Sequence, residues 1–123
     1  MTDVILSSFL SLFALFGKEE KVDEEWAKSM LLNYMRHYLG IRNTDVYIEL
    51  YSDMRDAYEL TDNLNSSDAV KSICSNLHTK TSAKEQSLLL LRLMEFCGGR
   101  SDISIFRTLA EVFHIPEERF KKE

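Results

Sequence analysis

Val4-Ile5-Leu6-Ser7-Ser8-Phe9-Leu10-Ser11-Leu12-Phe13-Ala14-Leu15-Phe16 is the stretch that decides the fold class of this chain. Leu6, Phe9, Leu10, Phe13 and Phe16 recur at the three- and four-residue spacing of one helix face. Val4, Ile5, Leu12 and Leu15 widen that face until the helix is apolar nearly all round, which suits the centre of a helical bundle. The run is too short to span a bilayer, which needs about 20 apolar residues. Asp3 stands where a signal peptide would carry positive charge. Gly17-Lys18-Glu19-Glu20 breaks the pattern, and Gly17 is expected to end the helix as a C-terminal glycine.

The rest of the chain reads as further helices. A second runs from about Asp23, an N-cap residue, to Leu39, and Gly40 stops it. Its stripe is Trp26, Met30, Tyr34 and His37, with Ala27, Leu31 and Tyr38 beside it. A third covers about Thr44 to Leu60, with Asn43 or Thr44 as cap and Tyr47, Leu50, Tyr51, Met54 and Tyr58 inward. The polar segment from Thr61 to Ser67 is a loop. A fourth helix runs from about Ser67 to His78 on Val70, Ile73, Cys74 and Leu77.

The fifth helix begins at Thr81 or Ser82, where Ser82 and Glu85 have the spacing of a capping box. Leu88 to Leu91, Leu93, Met94 and Phe96 make it a second central helix, ended by Gly98-Gly99. The sixth extends from Ser101 or Asp102 to His114 and buries Ile105, Phe106, Leu109, Ala110 and Phe113. Pro116 then opens a short last turn as an N1 proline, and Phe120 folds back on the core. The expectation is a single all-α domain over residues 1–123, a compact bundle of six to seven helices.

Composition narrows the function classes. With 123 residues, one proline and four glycines, the chain fits one helical domain better than an all-β one. A net charge of -5 disfavours a nucleic-acid binder, which needs a basic face to displace counterions. Cys74 and Cys97 lack CxxC spacing and read as reduced, semi-buried thiols of a cytoplasmic protein.

Four groups of residues carry whatever chemistry is legible. Glu19, Glu20, Asp23, Glu24 and Glu25 read as a solvated loop leading into a first turn matched to the helix dipole. The rival reading is a divalent-metal sensor using Glu19 and Asp23, although Lys18 and Lys21 intrude and EF-hand spacing is absent. Asp45, Glu49, Asp53 and Asp56 share one face of the third helix, either as a solvated face or as a dock for a basic partner segment. The tyrosines Tyr34, Tyr38, Tyr47, Tyr51 and Tyr58 read as core boundary or as a binding surface.

Cys74 and His78 sit four apart, two ligands where a zinc site usually has four. His37 and His114 lie on other helices. No GxSxG elbow, P-loop or GxGxxG is present, so no catalytic residues and no cofactor are assigned. A small enzyme whose site is assembled from distant residues stays a second alternative.

Helices 1 and 5 superpose in sequence at a fixed offset. Leu12 then meets Leu93, Leu15 meets Phe96, Gly17 meets Gly98 and Val22 meets Ile103. Each half reads as buried helix, glycine, short polar loop, β-branched residue and amphipathic helix. The loops are Glu19-Glu20-Lys21-Val22-Asp23-Glu24-Glu25 and Arg100-Ser101-Asp102-Ile103-Ser104. With Leu91-Arg92-Leu93-Met94-Glu95-Phe96 and Ala110-Glu111-Val112-Phe113-His114-Ile115-Pro116-Glu117, they make the chain resemble the TerB-like (tellurite-resistance-type) helical domains.

The resemblance implies two helix–loop–helix halves around central helices 1 and 5. It also implies a role in stress response or in membrane-associated complexes. Some family members hold a divalent metal in acidic Asp-Gly loops. Here Glu19-Glu20 and Arg100-Ser101 replace that pair, so no metal is expected. Family members also occur ahead of ABC-type ATPases, and the charged end Arg119-Phe120-Lys121-Lys122-Glu123 would suit a linker. The functional expectation is a non-enzymatic module for partner binding or regulation, with a protein partner or an attached domain, no nucleic acid and no direct membrane insertion.

Overall fold

The structure, a computed structural model, describes residues 3–61, 63–99 and 104–116. Among these the chain is all-helical, with α1 (Asp3–Glu19), α2 (Glu24–His37), α3 (Thr44–Leu60), α4 (Ser66–His78), α5 (Ala83–Phe96) and α6 (Ser104–Phe113). No described helix is long and apolar enough to cross a membrane. The second loop, Arg100 to Ile103, the turn after Pro116 and Phe120 lie outside the described residues. Contacts divide the chain into two units, Met1–Asn63 and Leu64–Glu123.

In the first unit, α3 packs on both α1 and α2. Helix α1 is covered on every side along its middle: Leu12, Phe13, Ala14, Leu15 and Phe16 are all buried in succession. The expected inner face of Leu6, Phe9, Leu10, Phe13 and Phe16 is buried throughout, whereas Val4 remains 61% exposed. Ser11 Oγ and the Tyr58 hydroxyl share a hydrogen bond that ties α1 to α3.

Two expectations for this unit need correction. Gly17 does not end α1; it is buried within the last turn, and the helix continues to Glu19. The chain leaves the helix at Lys21, whose φ of 51° places a non-glycine residue in the left-handed region. The Val22 N–H closes the turn by donating to the Gly17 carbonyl at 3.0 Å.

In α2 the buried stripe is Ala27, Leu31, Tyr34 and Met35. Trp26 is 49% exposed and His37 is exposed, so the covered face lies further round the helix than the aromatic spacing suggested. Tyr34 of the expected stripe stays buried, while the amphipathic indole of Trp26 is left at the surface.

Helix α2 ends at His37 with Tyr38 as C-cap, two residues short of the expected end at Leu39. The Ile41 N–H donates to the Met35 carbonyl at 2.9 Å across Gly40, whose φ is 65°. This bond reaches back six residues, one more than a Schellman closure, across a glycine in the left-handed region. At the other end, the Asp23 carboxylate accepts from the Trp26 N–H at 3.0 Å and caps the helix as expected.

In the second unit, α6 packs on α4 and on α5. Ile105, Phe106, Leu109, Ala110 and Phe113 are buried, as the spacing predicts. Val70, Cys74 and Leu77 form the covered face of α4. Helix α5 departs from the all-round apolar expectation. Leu89, Leu90, Leu93, Met94 and Phe96 are buried, but Leu88 and Leu91 are each 39% exposed.

The predicted capping box forms, with the Glu85 N–H donating to Ser82 Oγ at 3.1 Å and the Ser82 N–H donating to Glu85 Oε1 at 2.8 Å. Ser82→Ala should therefore lower stability by about 1 kcal/mol, measured by urea unfolding. An unchanged midpoint would mean that the cap adds nothing to the fold.

Candidate functional site: the acidic face of α3

Helix α3 carries one cation, Arg55, in the sequence TDVYIELYSDMRDAYEL. That residue is buried, at 7% exposure. Its Nη1 donates to the Tyr51 hydroxyl at 3.1 Å and its Nε to Glu59 Oε1 at 3.5 Å. Burial works to lower the guanidinium pKa, but Tyr51 and Glu59 together outweigh it and hold the group above its usual value. Sequence periodicity alone missed this residue, because an arginine on an apolar stripe reads as a surface charge. The available signal was the pair of partners one turn away on either side.

With Arg55 turned inward, every charged side chain on the opposite face is anionic. Asp45, Glu49, Asp53 and Asp56 are all exposed. At 3.6 residues per turn they fall within an arc of roughly 80°. Leu60, at 83% exposure, lies inside the same arc, and Val46, at 54%, borders it. None of the four carboxylates has an ion-pair partner among the described residues. The inner side of α3 is anchored by buried Thr44 and Tyr51, with Tyr47 and Tyr58 half-buried beside them. The tyrosines therefore divide: Tyr34 and Tyr51 are core, while Tyr38 is 53% exposed.

The other candidate residues sit as follows. Glu19 accepts from Lys18 Nζ at 3.1 Å, and Asp23 is occupied in capping α2. Among the described residues no three His, Cys, Asp or Glu side chains are grouped as a metal site would require. Cys74 is buried, and burial pushes its thiol up to about 12. The neutral thiol is thus the form present at physiological pH, and the nucleophilic thiolate is suppressed.

His78 stacks on Phe113 at a ring-centroid distance of 6.4 Å and meets His114 edge-on at 5.5 Å. The meeting of these two histidines was not legible in the sequence. It depends on the packing of α6 against α4 and on the left-handed φ of 56° at His114.

No protein-family model, curated protein or solved structure matches the chain.

Proposed function

We propose that this chain is a non-enzymatic helical module that docks a basic segment of a protein partner, or of an attached domain, on the acidic face of α3. The supporting observation is the exposure of Asp45, Glu49, Asp53 and Asp56 on one face whose sole helix cation is turned into the core. Like charges spaced three and four apart repel by a few tenths of a kcal/mol per pair. Leu60 and Val46 at that face would suit a segment alternating basic and apolar side chains.

The TerB-like assignment is part of this proposal. It rests on the loop and helix sequences that resemble the family, and it would make the chain a cytoplasmic regulatory or accessory module, for instance beside an ABC-type ATPase. The pseudo-repeat is likewise proposed on the pairs Leu12 with Leu93 and Leu15 with Phe96. The glycine correspondence drops out of it, because Gly17 is inside α1 while Gly98 follows the end of α5.

The test compares two variants of equal charge. In one, Glu49→Gln, Asp53→Asn and Asp56→Asn clear the α3 face. In the other, Glu24→Gln, Glu25→Gln and Glu111→Gln remove the same number of carboxylates elsewhere. A synthetic amphipathic Lys/Leu helical peptide is the probe, followed by fluorescence titration. The α3 variant should lose about tenfold or more in affinity, equivalent to about 1.4 kcal/mol, and the control should lose much less. The α3 variant should also gain about 0.5–1 kcal/mol in stability as its repulsive pairs disappear. Equal loss in both variants would reduce the interaction to net charge and overturn the proposed face.

A further inference from the structure

An open surface depression of about 440 Å³ lies at the turn between α2 and α3, lined by Arg36, Gly40, Ile41 and Arg42. The chain as a whole carries a net charge of -5, yet this depression has two guanidinium groups among four lining residues. Arg55 and Arg92 each pair with a glutamate. Arg36 and Arg42 instead have no hydrogen-bond or ion-pair partner among the described residues, and both are exposed.

The backbone that carries them is held by local structure. Arg36 is in the last turn of α2, and the hydrogen bond from the Ile41 N–H to the Met35 carbonyl sets the path of the chain leading into Arg42. Gly40 takes a φ of 65°, and a Cβ added there would meet nothing within 4 Å, so its backbone borders open space. A glycine in this conformation allows a ligand to approach the main chain closely. The backbone N–H of Gly40 and that of Arg42 have no acceptor among the described residues.

We infer that this depression binds a phosphate monoester carried on a small organic body. Each guanidinium offers a planar fork that matches two phosphate oxygens, and two forks suit a dianion better than a monocarboxylate. The depression is open to solvent and larger than inorganic phosphate alone needs, so an organic body can accompany the phosphate. Ile41 supplies an apolar wall for the organic part. The nearest acidic position along the chain is Asp45, a single carboxylate against two arginines. This reading does not depend on the acidic face of α3.

Phenyl phosphate, inorganic phosphate and benzoate are the probes, titrated into the full chain while the backbone amides are followed by ¹H–¹⁵N NMR. Phenyl phosphate should shift the amides of residues 40–43 and bind about fivefold or more tighter than either of the others. Arg36→Gln with Arg42→Gln, both surface substitutions that leave the core intact, should weaken it about tenfold or more.

A parallel arm sediments the chain with phosphatidylcholine vesicles containing or lacking phosphatidic acid. Arginine-dependent shifts with phenyl phosphate assign a free phosphate ester. Arginine-dependent sedimentation with phosphatidic acid, without those shifts, assigns the same headgroup chemistry to a lipid. Absence of both, or binding unchanged in the double variant, overturns the site.

Discussion

Phe13→Ala should lower the unfolding free energy by about 3–5 kcal/mol. The side chain is 1% exposed in a stretch of α1 that is buried on every side. Its ring lies 5.6 Å from that of Tyr34 at an interplanar angle of 48°. Truncation removes the buried area, leaves a cavity that a helix covered all round cannot close, and deletes an aromatic pair that adds about 0.5–1.5 kcal/mol.

A domain of this size has only about 5–15 kcal/mol in hand, so the alanine variant approaches the limit of folding. Phe13→Leu keeps most of the volume and should lose roughly 1–2 kcal/mol, which keeps the series measurable. Urea unfolding followed by circular dichroism provides the comparison. A loss below about 0.5 kcal/mol for the alanine variant would place Phe13 outside the core.

Leu90→Ala should destabilise by about 2–5 kcal/mol, while Leu91→Ala, one residue away, should change stability by only about 0.5 kcal/mol. The two are chemically identical members of the run Leu88-Leu89-Leu90-Leu91. Leu90 is 1% exposed and Leu91 is 39% exposed. At Leu91 the alanine loses less buried area than at Leu90, and its higher helix propensity offsets part of that loss. Equal destabilisation at both positions would mean that both faces of α5 are covered in solution. The pair therefore tests the orientation of α5 directly, with the same substitution in the same helix and the same solvent.

Features that depend on neighbours in the chain were legible in the sequence. Periodicity located the six helices of the described residues, and it named the buried side of α6 residue for residue. Capping chemistry was equally plain. Asp23 and the Ser82–Glu85 box form as their spacing predicts, because a cap involves only groups within one turn. The acidic face of α3 could also be read in advance, since positions 45, 49, 53 and 56 share a side of any helix that contains them.

Tertiary structure decided whatever requires a partner element. Which stripe of a broadly apolar helix is covered depends on what packs against it. The rotation of α2 onto Ala27 and Leu31, and the exposure of Leu88 and Leu91, were therefore not legible in advance. Gly17 could continue the helix because burial in the last turn offsets the weak helix propensity of glycine, which moved the exit to Lys21. Arg55 turned inward because Tyr51 and Glu59 satisfy its guanidinium there, and that turn leaves the four acids of α3 without a cation on their face. The meeting of His78 with His114, residues far apart in sequence, likewise rests on the packing of α6 against α4. Helical register is a property of a segment, whereas burial is a property of the surfaces that meet it.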